Sequence, residues 1–295
     1  MDALLIYWIC TDGVSVILSF VVLILLKRAK RFEHSFYFCV RYTICLNLLC
    51  HFNTWPHRLK YRPESEAFLL PIERHAKILL TVSTALLTVF FHIQSLSTVV
   101  ICAHRLSIAL SIHANRFWTK WYRVVYIFIV IISCLSILIT YTPVMYWDKK
   151  KKQFAHYSIP QDEFDRMNFI RGISMGAYFW VISIIGVITY YKIKCRLSQQ
   201  SDLHKSTLCR LTLITMYHTS AYSLFLLWQL LTFFLKTYWS NDFMLSVSDI
   251  VTFSMTFIIL VLDKQVDDFW QKMKIAFFAP TSIAPSRSTF LPTII

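Results

Sequence analysis

Three ionisable side chains, Asp12, Arg41 and Asp249, interrupt stretches that are otherwise apolar enough to sit in hydrocarbon. A charge at the centre of a bilayer costs about 2.5–3.5 kcal/mol on insertion scales, so each needs a partner or a route to water. Arg41 lies about 7–8 Å into its apolar run at 1.5 Å per residue, close enough for its guanidinium to snorkel to headgroups. The acids sit deeper. Measured from the basic ends of their runs, Asp12 is about 21 Å along the first and Asp249 about 20 Å along the seventh, with Asn47 and His51 at about 16 and 22 Å on the second. Where these three runs are neighbours, Asp12, Asn47, His51 and Asp249 share one layer. The chemistry open to them is a hydrogen-bonded cluster in which one carboxyl keeps its proton, or both share a cation or His51. The other arrangement sends each side chain separately to outer water.

The elements that must position these groups are seven apolar runs: Leu4–Leu26, Phe36–Pro56, Ile78–Ala103, Val124–Trp147, Phe169–Tyr191, Leu211–Leu235 and Phe243–Leu262. A hydrocarbon core of about 30 Å takes roughly 20 helical residues to cross, and each run has about that length. Of the 295 residues, 56% are hydrophobic and 16% charged, and the mean hydropathy is +0.53. That composition cannot cover a water-soluble surface. With only 4 glycines, strands joined by tight turns are not expected, and the fold class is an all-α membrane protein, a seven-helix transmembrane bundle. The first run starts without a basic leader and is too long for a signal-peptide core, so it reads as a retained helix.

Charge gives the orientation. The loops after the first, third and fifth runs and the tail beyond Asp263 carry 17 Lys/Arg, against 10 on the other side. By the positive-inside rule the N-terminus is outside and the C-terminus cytosolic. The net charge of +14 is thus a topological signal, and a nucleic-acid partner is not expected because the basic residues are dispersed among short loops. All 8 cysteines fall within runs or on the cytosolic side, Cys10 alone lying near the outer surface. Free thiols are therefore expected, and no disulfide ties the second outer loop to the third helix.

The third run and its exit read His92-Ile93-Gln94-Ser95 and Ala103-His104-Arg105-Leu106-Ser107-Ile108, and the next loop reads Asn115-Arg116-Phe117-Trp118-Thr119-Lys120-Trp121-Tyr122. With Ser35-Phe36-Tyr37 opening the second run and Phe52-Asn53-Thr54-Trp55 closing it, the chain resembles the nematode serpentine receptor class gamma family and its sister classes across all seven runs. The resemblance implies a chemosensory G-protein-coupled receptor in the plasma membrane, sensory cilia included. Its partners would be a small-molecule ligand outside and a heterotrimeric G protein inside. The better-known rhodopsin-like switches are missing: Ala103-His104-Arg105 replaces the acidic-Arg-aromatic triplet, and the seventh run has no Asn-Pro-x-x-Tyr. Only the arginine at the exit of the third helix carries over, onto Arg105.

Candidate ligand-binding residues line the outward halves of the runs: Ser83, Thr84 and Thr88 on the third, Tyr178 and Trp180 on the fifth, Trp228 and Gln229 on the sixth. Aromatics at such spacing also serve packing and interface belts. Arg105, Arg116 and Lys120 are the candidate G-protein contacts, and Gly172 and Gly176 form a small-xxx-small pattern suited to a receptor dimer. After the last run, Val266, Phe269, Trp270, Met273 and Phe277 recur at three- and four-residue steps, which predicts a short amphipathic helix on the inner leaflet. The receptor domain then spans 1–279, followed by a disordered cytosolic tail at 280–295. A seven-span ligand-gated channel or a small-solute transporter is the alternative function. No enzyme, cofactor or metal is expected: there is no His-Glu-x-x-His or Gly-x-Ser-x-Gly, and no lysine in the seventh run to hold retinal.

The orientation is testable on intact cells. Tags at Met1 and within Lys149–Ser158 should bind antibody without permeabilisation, and tags within Ser198–His204 or after Pro280 only with it. A C-terminal tag exposed on intact cells would reverse the topology and favour the channel.

Overall fold

A computed structural model describes residues 3–28, 34–60, 62, 64–111, 113–138, 145–148, 153–156, 160–197, 202–235 and 241–263. Six of the apolar runs lie within α-helices and the fourth does so in its first half: α1 (Ala3–Arg28), α2 (Ser35–Leu59), α3 (Ser65–Leu110), α4 (Ala114–Leu135), α5 (Gln161–Leu197), α6 (Asp202–Leu235) and α7 (Asn241–Leu262). In hydrocarbon a backbone has no water to bond, so a helix that pairs all its peptides internally is the stable form. Hydroxyls within the spans follow the same rule. Ser15 and Ser19 donate to the carbonyls of Thr11 and Ser15, one turn back, each at 2.8 Å.

The bundle is turned inside out relative to a water-soluble protein. Ile6, Ile17, Phe20 and Ile24 of α1, Trp180 and Ile184 of α5, and Leu224 and Phe234 of α6 are exposed, while Asp12, His51, Arg58, Arg105 and His218 are buried. That distribution suits lipid as solvent. Five of the seven helices are long and apolar enough to cross a membrane by length and composition. α2 is not among them because its polar residues, Thr43, Asn47, His51, Thr54, His57 and Arg58, are buried inside the bundle, where it packs on α1, α3, α4 and α7.

Three expectations need correction. The chain is not wholly helical: β1 (Met145–Asp148) and β2 (Gln153–His156) form an antiparallel hairpin with Met145 opposite His156 and Asp148 opposite Gln153. The fourth run, read through Trp147, instead ends as α4 tightens into a 3-10 turn at Ser136–Leu138. Pro143 has no N–H with which to continue a helix, and Met145–Trp147 belong to β1. The two long loops are also largely helical. α3 begins at Ser65, broken by a non-helical Ala76 (φ −149°, ψ 50°), and α4 starts at Ala114, so Arg116, Lys120 and the neighbouring aromatics sit on its first turns. The amphipathic segment after the last helix, the tail at 280–295 and the lysine run at 149–152 lie outside the described residues.

The hairpin is held by apolar packing and backbone bonding, with no disulfide among the described residues. Met145 and Phe154 are fully buried against Leu69 and Leu80 of α3, with Leu59, Ile72 and Trp147 packed around them. The Phe154 amide donates to the Lys60 carbonyl at 3.0 Å, and the Trp147 ring meets Phe154 edge-on at 5.1 Å. All eight cysteines are free. An apolar plug and one backbone bond thus tie the hairpin to α2 and α3. Phe154→Ala should cost about 3–5 kcal/mol, read as a fall in melting temperature of the solubilised protein, while a reducing agent leaves wild-type melting unchanged. A reductant-sensitive transition, or an unaffected Phe154→Ala, would show that the plug does not hold the hairpin.

Candidate functional site

Near the hairpin end of the bundle, Arg58 of α2 reaches both intramembrane acids. Its Nη1 donates to Asp12 Oδ2 of α1 at 2.7 Å and its Nη2 to Asp249 Oδ1 of α7. Its Nε donates to Thr54 Oγ1 at 3.3 Å, and the Trp8 and Trp55 rings lie 5.2 and 5.5 Å from the guanidinium carbon. The planar fork of an arginine suits this double role, because its donors point in fixed, divergent directions. His51, two turns earlier on α2, accepts from Trp55 Nε1 at 3.3 Å on Nε2 and stands 3.3 Å from Asp249 Oδ1 on Nδ1. That network assigns the proton to Nδ1, which donates to Asp249. The clasp thus gathers two acids, one imidazole and one guanidinium, with His51 Nε2 also 3.6 Å from Asp12 Oδ2. The donor atoms of Asp12, His51 and Asp249 lie within 4.8 Å of one another, a spacing a metal ion can bridge, but the guanidinium already supplies the positive charge at that point.

Asp12, His51 and Asp249 therefore meet, whereas Asn47 belongs to a different layer. Asn47 Nδ2 donates to the Thr252 carbonyl at 2.9 Å, and Gln94 Nε2 donates to Thr252 Oγ1 at 3.1 Å and to Asn47 Oδ1 at 3.4 Å. Asn47 is over a helical turn short of His51, so its amide cannot join the carboxylates. Arg58, counted in the sequence among the outer-loop cations, is the residue that sequence reasoning missed. Pro56 suggested the end of a helix that in fact continues to Leu59. The available signal was His51, Thr54, Trp55 and Arg58 at 0, +3, +4 and +7, one polar stripe on one helical face.

Below the clasp α3 is the hub. His92 Nδ1 lies 2.9 Å from the Tyr178 hydroxyl of α5, Ser95 Oγ 2.8 Å from the Tyr222 hydroxyl of α6, and Thr98 Oγ1 3.4 Å from His218 Nε2, whose Nδ1 is 3.0 Å from Ser254 of α7. At the opposite end Arg105, fully buried, donates to Thr212 Oγ1 of α6 at 2.8 Å. Its guanidinium carbon lies 5.7 Å from the Phe36 ring.

The short motifs quoted from the sequence converge around it. Ser35 Oγ donates to Asn115 Oδ1 at 2.6 Å and sits 2.8 Å from His104 Nε2, Trp118 Nε1 donates to Ser107 Oγ at 2.6 Å, and the Tyr37 hydroxyl donates to Asp263 Oδ2 at 2.6 Å. Arg105 is thus an interhelical clasp rather than a surface side chain, while Arg116 and Lys120 are exposed.

The predicted ligand residues do not form one pocket. Ser83 Oγ lies 3.4 Å from both the Asn53 carbonyl and His57 Nε2, Thr84 bonds back to Leu80 at 2.9 Å, and Thr88 is half-buried. Trp180 is 63% exposed on the lipid side, which removes it from an interior site. Trp228 meets Phe243 of α7 at 5.5 Å. Gln229 is different: it is buried, and its Oε1 accepts no hydrogen bond among the described residues.

The sequence matches the Srg family chemoreceptor model over residues 5–268. Among similar proteins, Serpentine receptor class gamma-53 of Caenorhabditis elegans is 35% identical over 261 residues, covering 88% of each chain. Serpentine receptor class gamma-47 of the same nematode is 25% identical over 268 residues, covering 85% of this chain and 84% of its own. A helical bundle with a lipid-facing exterior, charged groups clasped between its helices and this match along nearly its whole length belongs to the Srg family of chemoreceptors.

Proposed function

We propose that the chain is a chemosensory G-protein-coupled receptor of the plasma membrane, with the hairpin end outside and the Arg105 end in the cytosol. The charge asymmetry of the loops supports that orientation. The reading rests on the α3 contacts, which join the outer halves of α5 and α6 to the cytosolic Arg105–Thr212 pair through hydrogen bonds that a helix shift must exchange. Arg105 leaves Thr212 when α3 and α6 separate, and the guanidinium then faces the heterotrimeric G protein beside exposed Arg116 and Lys120.

The ligand site centres on Gln229. It lies one turn beyond Phe225 and Leu226 on α6, over an apolar cluster in which Leu226 and Tyr222 pack with Met175, Tyr178 and Val251. An unpaired buried carbonyl costs about 1–3 kcal/mol, which a ligand N–H or O–H recovers. The ligand is therefore a small, mostly apolar molecule with at least one hydrogen-bond donor.

Calcium imaging of cells expressing the receptor, challenged with a panel of small volatile and lipid-like compounds, tests both ends. Arg105→Ala should abolish the response to any active compound at normal surface expression. Gln229→Leu should weaken the response about tenfold or more while raising the melting temperature of the empty protein, because an orphaned polar group is removed. A wild-type response in Arg105→Ala, or a destabilised Gln229→Leu with unchanged potency, would reject these assignments.

Arg58→Met leaves two buried carboxylates without a cation and should cost about 3–5 kcal/mol. The triple variant with Asp12→Asn and Asp249→Asn should recover much of that loss. Strictly additive losses would show that the three groups act independently.

A further inference from the structure

A cavity of about 440 Å³ opens between α5 and α6 near the end that carries their connection. Ser183, Gly186 and Tyr190 of α5 and Thr219, Ser220 and Ser223 of α6 line it. Its rim is the exposed outer surface of the bundle, with Val187 and Tyr191 more than half exposed, so whatever enters comes from the bilayer. A narrower recess continues from Gly186, Met216 and Thr219 to Cys102 and Thr212, the last being the hydroxyl to which Arg105 donates.

We infer that this groove binds a membrane sterol, and three observations carry the choice. Among the described residues no charged side chain lines either the groove or the recess, so a phospholipid headgroup finds no counter-charge in those walls. Hydroxyls from both helices are interspersed along otherwise apolar walls, which suits an apolar body with a single O–H. Gly186 leaves a flat floor: a Cβ added there meets nothing within 4 Å, so no protein packing accounts for a residue that costs a helix about 1 kcal/mol relative to alanine. A rigid ring system lies flat against that gap, and its hydroxyl reaches the level of Tyr190, at the end of the apolar run.

The volume is in the range of small-molecule sites, about 300–1,000 Å³. A sterol held here braces α5 against α6 beside Thr212 and favours the state in which the Arg105 clasp is closed. That effect on signalling rests on the receptor reading above; the binding itself does not.

The test uses the full-length protein in phosphatidylcholine nanodiscs with a diazirine-bearing cholesterol analogue. Labelling should saturate, map to the α5 and α6 peptides that contain Gly186 and Ser220, and be displaced by unlabelled cholesterol. Gly186→Leu, whose Cβ meets no protein atom within 4 Å, should reduce it about tenfold with an unchanged elution profile, and Ser220→Trp should block the mouth in the same way. Uniform, unsaturable labelling of all lipid-facing helices, or equal labelling in both variants, would overturn the site. Displacement by oleic acid as effective as by cholesterol would reject the sterol in favour of an acyl chain. Self-crosslinking of Val187→Cys that protects the groove from the label would assign it to a second copy of the chain.

Discussion

Inside a hydrocarbon slab an ionised group has no water to fall back on, and the arrangement around Arg58 follows from that condition. Its charge costs least where two carboxylates, a threonine hydroxyl and two indole faces converge on it. Those partners come from α1, α2 and α7, so satisfying one guanidinium fixes the mutual placement of three helices. Lipid tails are as apolar as leucine, and burial of apolar surface alone would not select which helices meet. Polar groups that must find one another supply the selection.

The same constraint organises α3. Gln94 bonds to α2 and α7, and Ser95, Thr98 and Arg105 each bond to α6. Individual contacts of this kind are weak, about 0.6–2 kcal/mol in membranes. The bundle is thus assembled from exchangeable contacts, which suits a protein that passes between two arrangements better than a close-packed apolar seam would. The hairpin end is built differently. Met145 and Phe154 are sealed against Leu69 and Leu80 by shape and burial, an arrangement that resists small displacements because a dense apolar contact loses energy as soon as it opens.

The seven helices were legible because their period hardly matters: a run of some twenty apolar residues needs a bilayer whichever face is inside. Depth arithmetic brought Asp12, His51 and Asp249 to a common level because rise per residue is fixed. What it could not supply was rotational phase. Trp180 was assigned inward on α5 although it faces lipid, since a helix apolar on all sides gives no periodic signal of which face is inside. Arg58 was hidden by Pro56, which can end a helix or merely bend it. The β-hairpin escaped because Met145–Trp147 was read as the end of the fourth apolar run despite Thr140, Thr142 and Pro143 before it, and the antiparallel pairing with Gln153–His156 separates it. Arg105 was placed just past the end of its apolar run at Ala103, whereas α3 continues to Leu110. Its burial depends on α6, which sequence spacing along α3 cannot report.

The clasp also sets a schedule for synthesis. Asp12 lies 46 residues before Arg58, but Asp249 lies 191 residues after it. At about 5–20 residues per second, Arg58 waits on the order of 10–40 s for its second carboxylate. Through that interval α2, which is not among the helices apolar enough to cross on length and composition, has only Asp12 of α1 as a carboxylate partner for Arg58, while α3 and α4 pack against it as they emerge. The ribosome's pace over α3 to α7 therefore sets how long one buried guanidinium is held with half of its counter-charge.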